Sequence, residues 1–316
     1  MQSRALGASG LSIAPIVLGG NVFGWTIDQQ QSFEVLNAFT DHGFNCIDTA
    51  NVYSVWKPGN LGGESETIIG NWFKQSGKRD QVVLITKVGM PMTPESKGLR
   101  KNYILEQVEN SLRRLQTDYI DLYFSHKVDK ETPIEETLEA YALLIDQGKV
   151  RTIGASNYRG PALTTAIESA DKNKLPAYTV LQPEYNLYER ENYEKDLAPV
   201  AARFNLGVIP YFSLASGFLT GKYKRIEDSK GANREARVAR YFTPRGERIV
   251  QALDELSADL GVTQASLALA WLLAQPTITA PIASATKPSQ LESMYVAADL
   301  KLDQATLDKL NEASAY

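Results

Sequence analysis

Residues 118 to 156 contain, in order, DYIDLYFSH (118 to 126), PIEETLEAYALLIDQG (133 to 148) and VRTIGAS (150 to 156). The two outer runs are short, rich in aliphatic and aromatic residues, and do not alternate cleanly between apolar and polar. That is the pattern of strands covered on both faces, as in a parallel sheet wrapped by helices. The middle run has helical spacing, with Pro133 suited to a first helical position. The stretch therefore reads strand, helix, strand.

Working outward, the same alternation fills the chain. Further strand-like runs are APIVLG (14 to 19), GFNCID (43 to 48), QVVLITK (81 to 87), YTVLQP (178 to 183), LGVIPY (206 to 211) and TITAPIAS (277 to 284), which brings the count to eight. Helical patterns lie between them: QQQSFEVLNAFTDHG with Gly43 as a stop, ESETIIGNWFKQSG, KNYILEQVENSLRRLQ, GPALTTAIESADKN, ENYEKDLAPVAARFN, and the late pair ERIVQALDELSADLG and QASLALAWLLAQP. Eight such units predict a (β/α)8 TIM barrel, because a doubly wound sheet usually has about five to seven strands. No Pro-, Gly- or Ser-rich linker divides the 316 residues, so residues 1 to 316 read as one domain. MQSRALGASGLSI predicts an N-terminal β-hairpin that plugs the lower end of the barrel. Extra C-terminal helices and EASAY close the chain. The charged, aliphatic-poor stretch from Tyr223 to Arg248 is too long for a simple connection and predicts a mobile lid.

Composition excludes several classes of function. A net charge of −4 and the absence of basic runs interleaved with aromatics argue against nucleic acid as a partner. No apolar stretch approaches the ~20 residues that span a bilayer, and MQSRALGASG lacks the apolar stretch of a secretory signal. Neither a membrane nor export is expected, and the predicted location is cytoplasmic. Cys46 is the single cysteine, so no internal disulfide forms, thiol metal sites are excluded, and no metal is expected.

In such a barrel the functional groups come from the C-terminal strand ends. Here those ends are Asp48, Lys87, His126, Ser156 with Asn157, Gln182 and Tyr211. Each has a structural explanation alone, as an N-cap, a rim aromatic or a core histidine. Together with Tyr53, five residues after Asp48, they converge on one mouth. A phenol titrates near pH 10, and a lysine cation beside it stabilises the phenolate. Lys87 is thus expected to lower Tyr53 and make it a usable proton donor. A buried lysine needs a carboxylate, which Asp48 supplies, and His126 can orient or polarise a carbonyl. A proton completes a reduction only if a hydride reaches carbon, which no side chain supplies, so a nicotinamide cofactor is implied. GxGxxG is absent, and GFLTGKY (217 to 223) lacks the spacing of a P-loop.

DTANVY, GESETIIG, ITK, DLYFSH, VRTIGASN, LQPEYNL, PYFSLASGFLTGKY and IASATKPSQL resemble, in order and spacing, the motifs of the aldo-keto reductase superfamily over nearly the whole chain. The bacterial, channel-β-subunit-like branch is the nearest in loop pattern. The resemblance implies a (β/α)8 barrel that holds an extended NADP(H) across its mouth. It makes Tyr53 the proton donor of a tetrad with Asp48, Lys87 and His126. It makes Ser156, Asn157 and Gln182 the carboxamide trio, whose side chains offer both donors and acceptors. Tyr211 becomes the ring stacked on nicotinamide. Ser213, Leu214, Ala215 and Gly217 fall at the pyrophosphate, with charge from Lys222. At the adenosine end the family's frequent Ile-Pro-Gly is replaced by Ile282, Ala283, Ser284, Ala285, Thr286 and Lys287; Gln290 matches, and the asparagine often found a turn later is Met294. Lys287 is the one obvious charge for a 2′-phosphate, so NADP(H) is preferred and NAD(H) is possible.

Phe23, Trp25, Trp56 and Met90 are expected to wall a shallow pocket for aldehydes and ketones, or for alcohols in reverse. Monomer and homo-oligomer both stay open. Rival readings are a lyase with a Lys87 Schiff base, a slow cofactor-sensing subunit, and an NAD-dependent sugar or pyridoxal-type alcohol dehydrogenase.

Overall fold

The computed structural model describes residues 2–93 and 96–316, so Met1 of the hairpin stretch lies outside the described residues. Strands β1 (Arg4–Ala5) and β2 (Ser12–Ile13) pair antiparallel. Eight parallel strands then follow: β3 (Val17–Gly19), β4 (Cys46–Asp48), β5 (Val83–Val88), β6 (Ile120–Ser125), β7 (Val150–Ser156), β8 (Val180–Gln182), β9 (Gly207–Val208) and β10 (Ile282–Ala283). They pair in the order β10-β3-β4-β5-β6-β7-β8-β9. The two ends of that order meet: the Thr279 and Ala280 N–H groups donate to Val208 O at 2.8 and 3.3 Å, and Ile282 N–H donates to Pro210 O at 2.9 Å. The ring is a TIM barrel with no free edge.

The unbroken apolar runs have the predicted cause. Every residue of β6 is buried, and every residue of β7 except Arg151. One face packs on the helices α1 (Gln29–Asp41), α2 (Glu64–Ser76), α3 (Lys101–Leu115), α4 (Ile134–Asp146), α5 (Gly160–Asn173) and α6 (Ala198–Arg203). The other face fills the barrel, where Val17, Cys46, Ile85, Leu122 and Phe124 meet. Cys46 is a plain core residue. Helix starts follow local chemistry: the Asp28 carboxylate accepts from Gln31 N–H while the Gln31 side chain accepts from Asp28 N–H. Ahead of α6 the chain makes a wide π-turn over Tyr193–Leu197, close to Pro199, which has no N–H for an α-helical bond.

The hairpin plugs the lower end, as its sequence predicts. Leu6 and Ile13 are fully buried in the same interior cluster as Phe124. Gly7 bridges Leu206, and Ala8 N–H donates to Asn205 O at 3.1 Å. Helices α7 (Glu235–Ala239), α8 (Pro244–Leu260) and α9 (Gln264–Leu273) lie between β9 and β10, with α10 (Glu292–Asp299) and α11 (Gln304–Ala313) after β10. No single described helix is long and apolar enough to cross a membrane.

The stretch from Tyr223 to Arg248, expected to be a mobile lid, carries secondary structure of its own. It forms a 3-10 turn at Ile226–Ser229 and α7, and it donates its last residues to α8. Its few apolar groups do the anchoring: Val238 and Tyr241 are fully buried, and Tyr241 stacks on Phe218. Composition averaged over the segment hides two well-placed anchors.

Register carries the fold to the site. Gly19 pairs with Asp48, Lys87 with Phe124, Ser125 with Ala155, and Ser156 with Gln182. The C-terminal ends of the strands thus reach one rim, while the hairpin seals the other. Gly7 is the tightest point of that seal: its φ is +56° and an added Cβ would fall 2.0 Å from Gly207 N. Gly7→Ala is expected to cost about 2 kcal/mol or more of unfolding free energy, measured by urea denaturation, because both strain and overlap oppose it.

Candidate active site

Asp48 ends β4 and Lys87 lies near the end of β5, and they are 2% and 0% exposed. Their ion pair is 2.7 Å long. An ammonium has three donors, and all three are used here: Asp48 Oδ2 at 2.7 Å, Thr49 O at 2.7 Å and Tyr53 OH at 2.9 Å. Tyr53 in turn donates to Asp48 Oδ2 at 3.2 Å, and Gln182 Nε2 donates to Asp48 Oδ1 at 2.9 Å. Tyr53 comes to this point because Thr49 and Asn51 N–H groups run on along β5, bonding Ile85 O and Lys87 O, before the chain turns at Tyr53. His126 follows β6 and its ring centroid is 6.0 Å from that of Tyr53. The four groups meet.

Their acidities follow from burial and charge. Burial lowers Lys87, with Asp48 and then Glu66 acting the other way. Burial, then Lys87, push His126 well below its ordinary value, so near neutrality it is an uncharged imidazole, with Nδ1 buried and without a partner among the described residues. The Tyr53 phenol is the surprise. Burial and then Asp48 raise it well above its ordinary value, against the expected lowering by Lys87. The carboxylate that neutralises the lysine also faces the phenol, so the cation's effect on Tyr53 is largely cancelled.

The carboxamide trio is adjacent but interlocked. Ser156 Oγ donates to Gln182 O at 3.0 Å, and Asn157 Nδ2 donates to His126 O at 2.9 Å. Tyr211 OH donates to Asn157 Oδ1 at 2.8 Å. Asn157 has φ +56°, which turns its amide to the exposed rim. One of the two Gln182 amide N–H groups is held by Asp48, which fixes the orientation of that side chain.

The loop after β9 is a run of left-handed residues: Ala215 φ +46°, Ser216 +59° and Gly217 +98°. Two of the N–H groups expected at a pyrophosphate are taken, since Ala215 donates to Phe212 O at 2.7 Å and Gly217 to Leu214 O at 2.8 Å. Ser213 and Ala215 side chains are buried, and the Ser213 hydroxyl donates to Pro210 O. Leu214 is half-buried. The Lys222 ammonium lies over Gly217, where a Cβ would come within 3.1 Å of it. The Ser216 hydroxyl is buried with no partner among the described residues. That orphan, the concave left-handed backbone and the lysine together fit an anionic group. At the adenosine end Ser284 Oγ donates to Asn21 Oδ1 at 2.6 Å, and the Gln290 side chain accepts from Thr286 N–H at 2.7 Å. Ala285 is fully buried, Lys287 is exposed, and Met294 is packed in the core.

A row of rings walls the mouth: Trp25 meets Trp56 edge-on at 5.6 Å, and Trp56 meets Tyr53 at 6.0 Å. Met90 is half-buried just beyond β5. Phe23 does not belong to the wall. It is 0% exposed and packs in the core, and only its carbonyl serves the site, accepting from Ser54 Oγ at 2.7 Å. Several residues at the site escaped the sequence: Asn21, Thr49, Ser216, and Arg234, whose guanidinium stacks on Trp25 at 5.5 Å. Asn21 and Thr49 could have been flagged as polar residues just after strands. Among the described residues no cluster of His, Cys, Asp and Glu could hold a metal ion.

The sequence is similar to those of known proteins. The sequence profile described as Aldo/keto reductase family matches residues 15–315. The chain is 36% identical to "Uncharacterized oxidoreductase YrpG" of Bacillus subtilis (strain 168), over 99% of this chain and 95% of that protein. It is 35% identical to "Probable voltage-gated potassium channel subunit beta" of Arabidopsis thaliana, over 99% of this chain and 96% of that protein. With "Aldo-keto reductase YhdN" of Bacillus subtilis (strain 168) identity is 37%, over 91% and 84%. The chain belongs to the aldo/keto reductase family and is an oxidoreductase.

Proposed function

We propose that the protein reduces small aldehydes and ketones to alcohols with NADP(H), Tyr53 giving the proton. The observation that carries the reading is the single chain of contacts Asp48–Lys87–Tyr53 at the open rim, beside a neutral His126. Bound NADPH supplies the hydride. Ser156, Asn157, Gln182 and Tyr211 would hold the nicotinamide end, and Ser213, Leu214, Ser216 and Lys222 would hold the phosphates. Lys287, with Ser284 and Gln290 shaping its loop, faces the adenosine end.

A raised Tyr53 is compatible with this role. As negative charge grows on the carbonyl oxygen, that oxygen approaches the basicity of an alkoxide, a far stronger base than the carbonyl of the ground state. The Tyr53 proton moves at that late stage, when the base opposite it is strongest. The phenolate left behind keeps the Lys87 hydrogen bond, which then joins two ionised groups and strengthens. His126 donates its one N–H to the substrate oxygen without adding a charge of its own. The aromatic row of Trp25, Trp56 and Tyr53 selects apolar bodies around that polar centre.

Tyr53→Phe is expected to lower kcat for 4-nitrobenzaldehyde by about 10²- to 10⁴-fold while leaving NADPH affinity, read by fluorescence titration, nearly unchanged. A variant that keeps most of its rate would remove Tyr53 from the chemistry. Lys287→Ala is expected to weaken NADPH about three- to tenfold and NADH hardly at all, the loss of one partly screened charge contact. Equal effects on both dinucleotides would mean that Lys287 does not meet the 2′-phosphate, and faster turnover with NADH would reverse the cofactor preference.

A further inference from the structure

Glu66 sits on α2 where an apolar residue would be expected. Ile69, Gly70 and Phe73 follow at three, four and seven positions and are buried with it. Glu66 itself is 0% exposed. A carboxylate without water is tolerated only when paired and hydrogen-bonded. Both oxygens are engaged: Oε1 accepts from Thr86 Oγ1 at 2.6 Å and Oε2 from Arg114 Nε at 2.7 Å. Arg114 comes from α3, and its side chain lies against Gly63, where an added Cβ would fall 2.5 Å from Cδ.

The bond to Thr86 gives this pair a place in the chemistry. Successive residues of a strand point to opposite faces, so Thr86 turns outward to α2 while Lys87 turns inward to Asp48 and Tyr53. We propose that Glu66 is a positioning residue for the reaction assigned above: through Thr86 it fixes the strand that carries Lys87, and its charge acts on the Lys87 ammonium across one sheet wall. The catalytic half of this inference rests on the reductase reading; the electrostatic half does not.

The groups around Lys87 define the balance. Asp48, Tyr53 and His126 face it from the rim, and Glu66 acts from behind, favouring the charged lysine. Glu66 is faced by Arg114 and by the Tyr123 phenol, and Tyr103 lies near Arg114 and Tyr123; burial keeps both phenols protonated. Charges about one sheet wall apart at an effective dielectric of about 20 move each other's titration by roughly half to one pH unit.

Two substitutions separate the two roles. Glu66→Gln keeps an oxygen for Thr86 and removes the charge; Thr86→Val removes the hydrogen bond and keeps the charge. The Lys87 titration is followed by NMR of 13Cε-labelled lysine, its signal identified by loss in Lys87→Met, alongside the pH profile of kcat with NADPH and 4-nitrobenzaldehyde. In Glu66→Gln the Lys87 midpoint and the basic limb of kcat are both expected to fall by roughly half to one pH unit. In Thr86→Val both are expected to hold while kcat drops severalfold. Glu66→Asp, which restores the charge, is expected to return the midpoint toward that of the wild type.

An unmoved Lys87 midpoint in folded Glu66→Gln overturns the electrostatic half. A moved midpoint with a fixed kcat limb overturns the catalytic half. Wild-type protein without carbonyl turnover, but with the Lys87 midpoint responding to Glu66, sinks the reductase reading and supports the electrostatic inference.

Discussion

The buried pair of Lys87 and Asp48 is the constraint around which the rim is arranged. Removing two charges from water costs several kcal/mol each, and their attraction offsets this only with full hydrogen bonding. Lys87 reaches that condition by giving one proton each to Asp48, Thr49 O and Tyr53. Asp48 reaches it by accepting from Lys87, Tyr53 and Gln182. Tyr53 and Gln182 are therefore fixed as a consequence of satisfying an ion pair, and the pocket inherits its geometry from that need.

Such a pair needs rigid supports on several sides, which a closed barrel provides. The ring is completed by bonds from Thr279, Ala280 and Ile282 to the β9 region, so each strand is held by two neighbours. The hairpin then fills the lower opening with Leu6 and Ile13. With one end sealed by apolar side chains, polar residues at strand ends have only the other rim on which to meet water and ligand. The segment from Tyr223 to Arg248 extends this arrangement above the rim, where Arg234 reaches Trp25.

Much of this was legible because strands covered on both faces leave an uninterrupted apolar signature, and because a polar residue ending such a run has few reasons to be there. The eight strands, the hairpin and the meeting of Asp48, Tyr53, Lys87 and His126 all follow from that. What sequence order does not encode is the direction of a side chain after a strand ends. Phe23 and Trp25 differ by two positions, yet one is core and the other wall. Nor does it encode the balance between neighbours: pairing Tyr53 with a lysine predicted a lowered phenol, whereas the shared carboxylate and the burial reverse the sign. Glu66 stood inside a quoted motif and was legible as a carboxylate on an apolar stripe, but its partner Arg114 is 48 residues away on another helix.

The two faces of β5 show why the helical layer matters to the mouth. A strand's two-residue period forces Thr86 and Lys87 apart, so any restraint on the Thr86 hydroxyl is a restraint on the rotation of the strand and hence on Lys87. A shift of even 1 Å at Lys87 Nζ would disturb all three hydrogen bonds of 2.7 to 2.9 Å, since they radiate from one atom. Substrate-facing residues can vary in a loop without this penalty, but the atom that joins phenol and carboxylate cannot. The support for such an atom is best placed in the layer behind it, where packing is dense and solvent is absent. A buried glutamate bound to the neighbouring residue of the same strand meets that requirement, and an apolar residue at position 66 would offer Thr86 no acceptor.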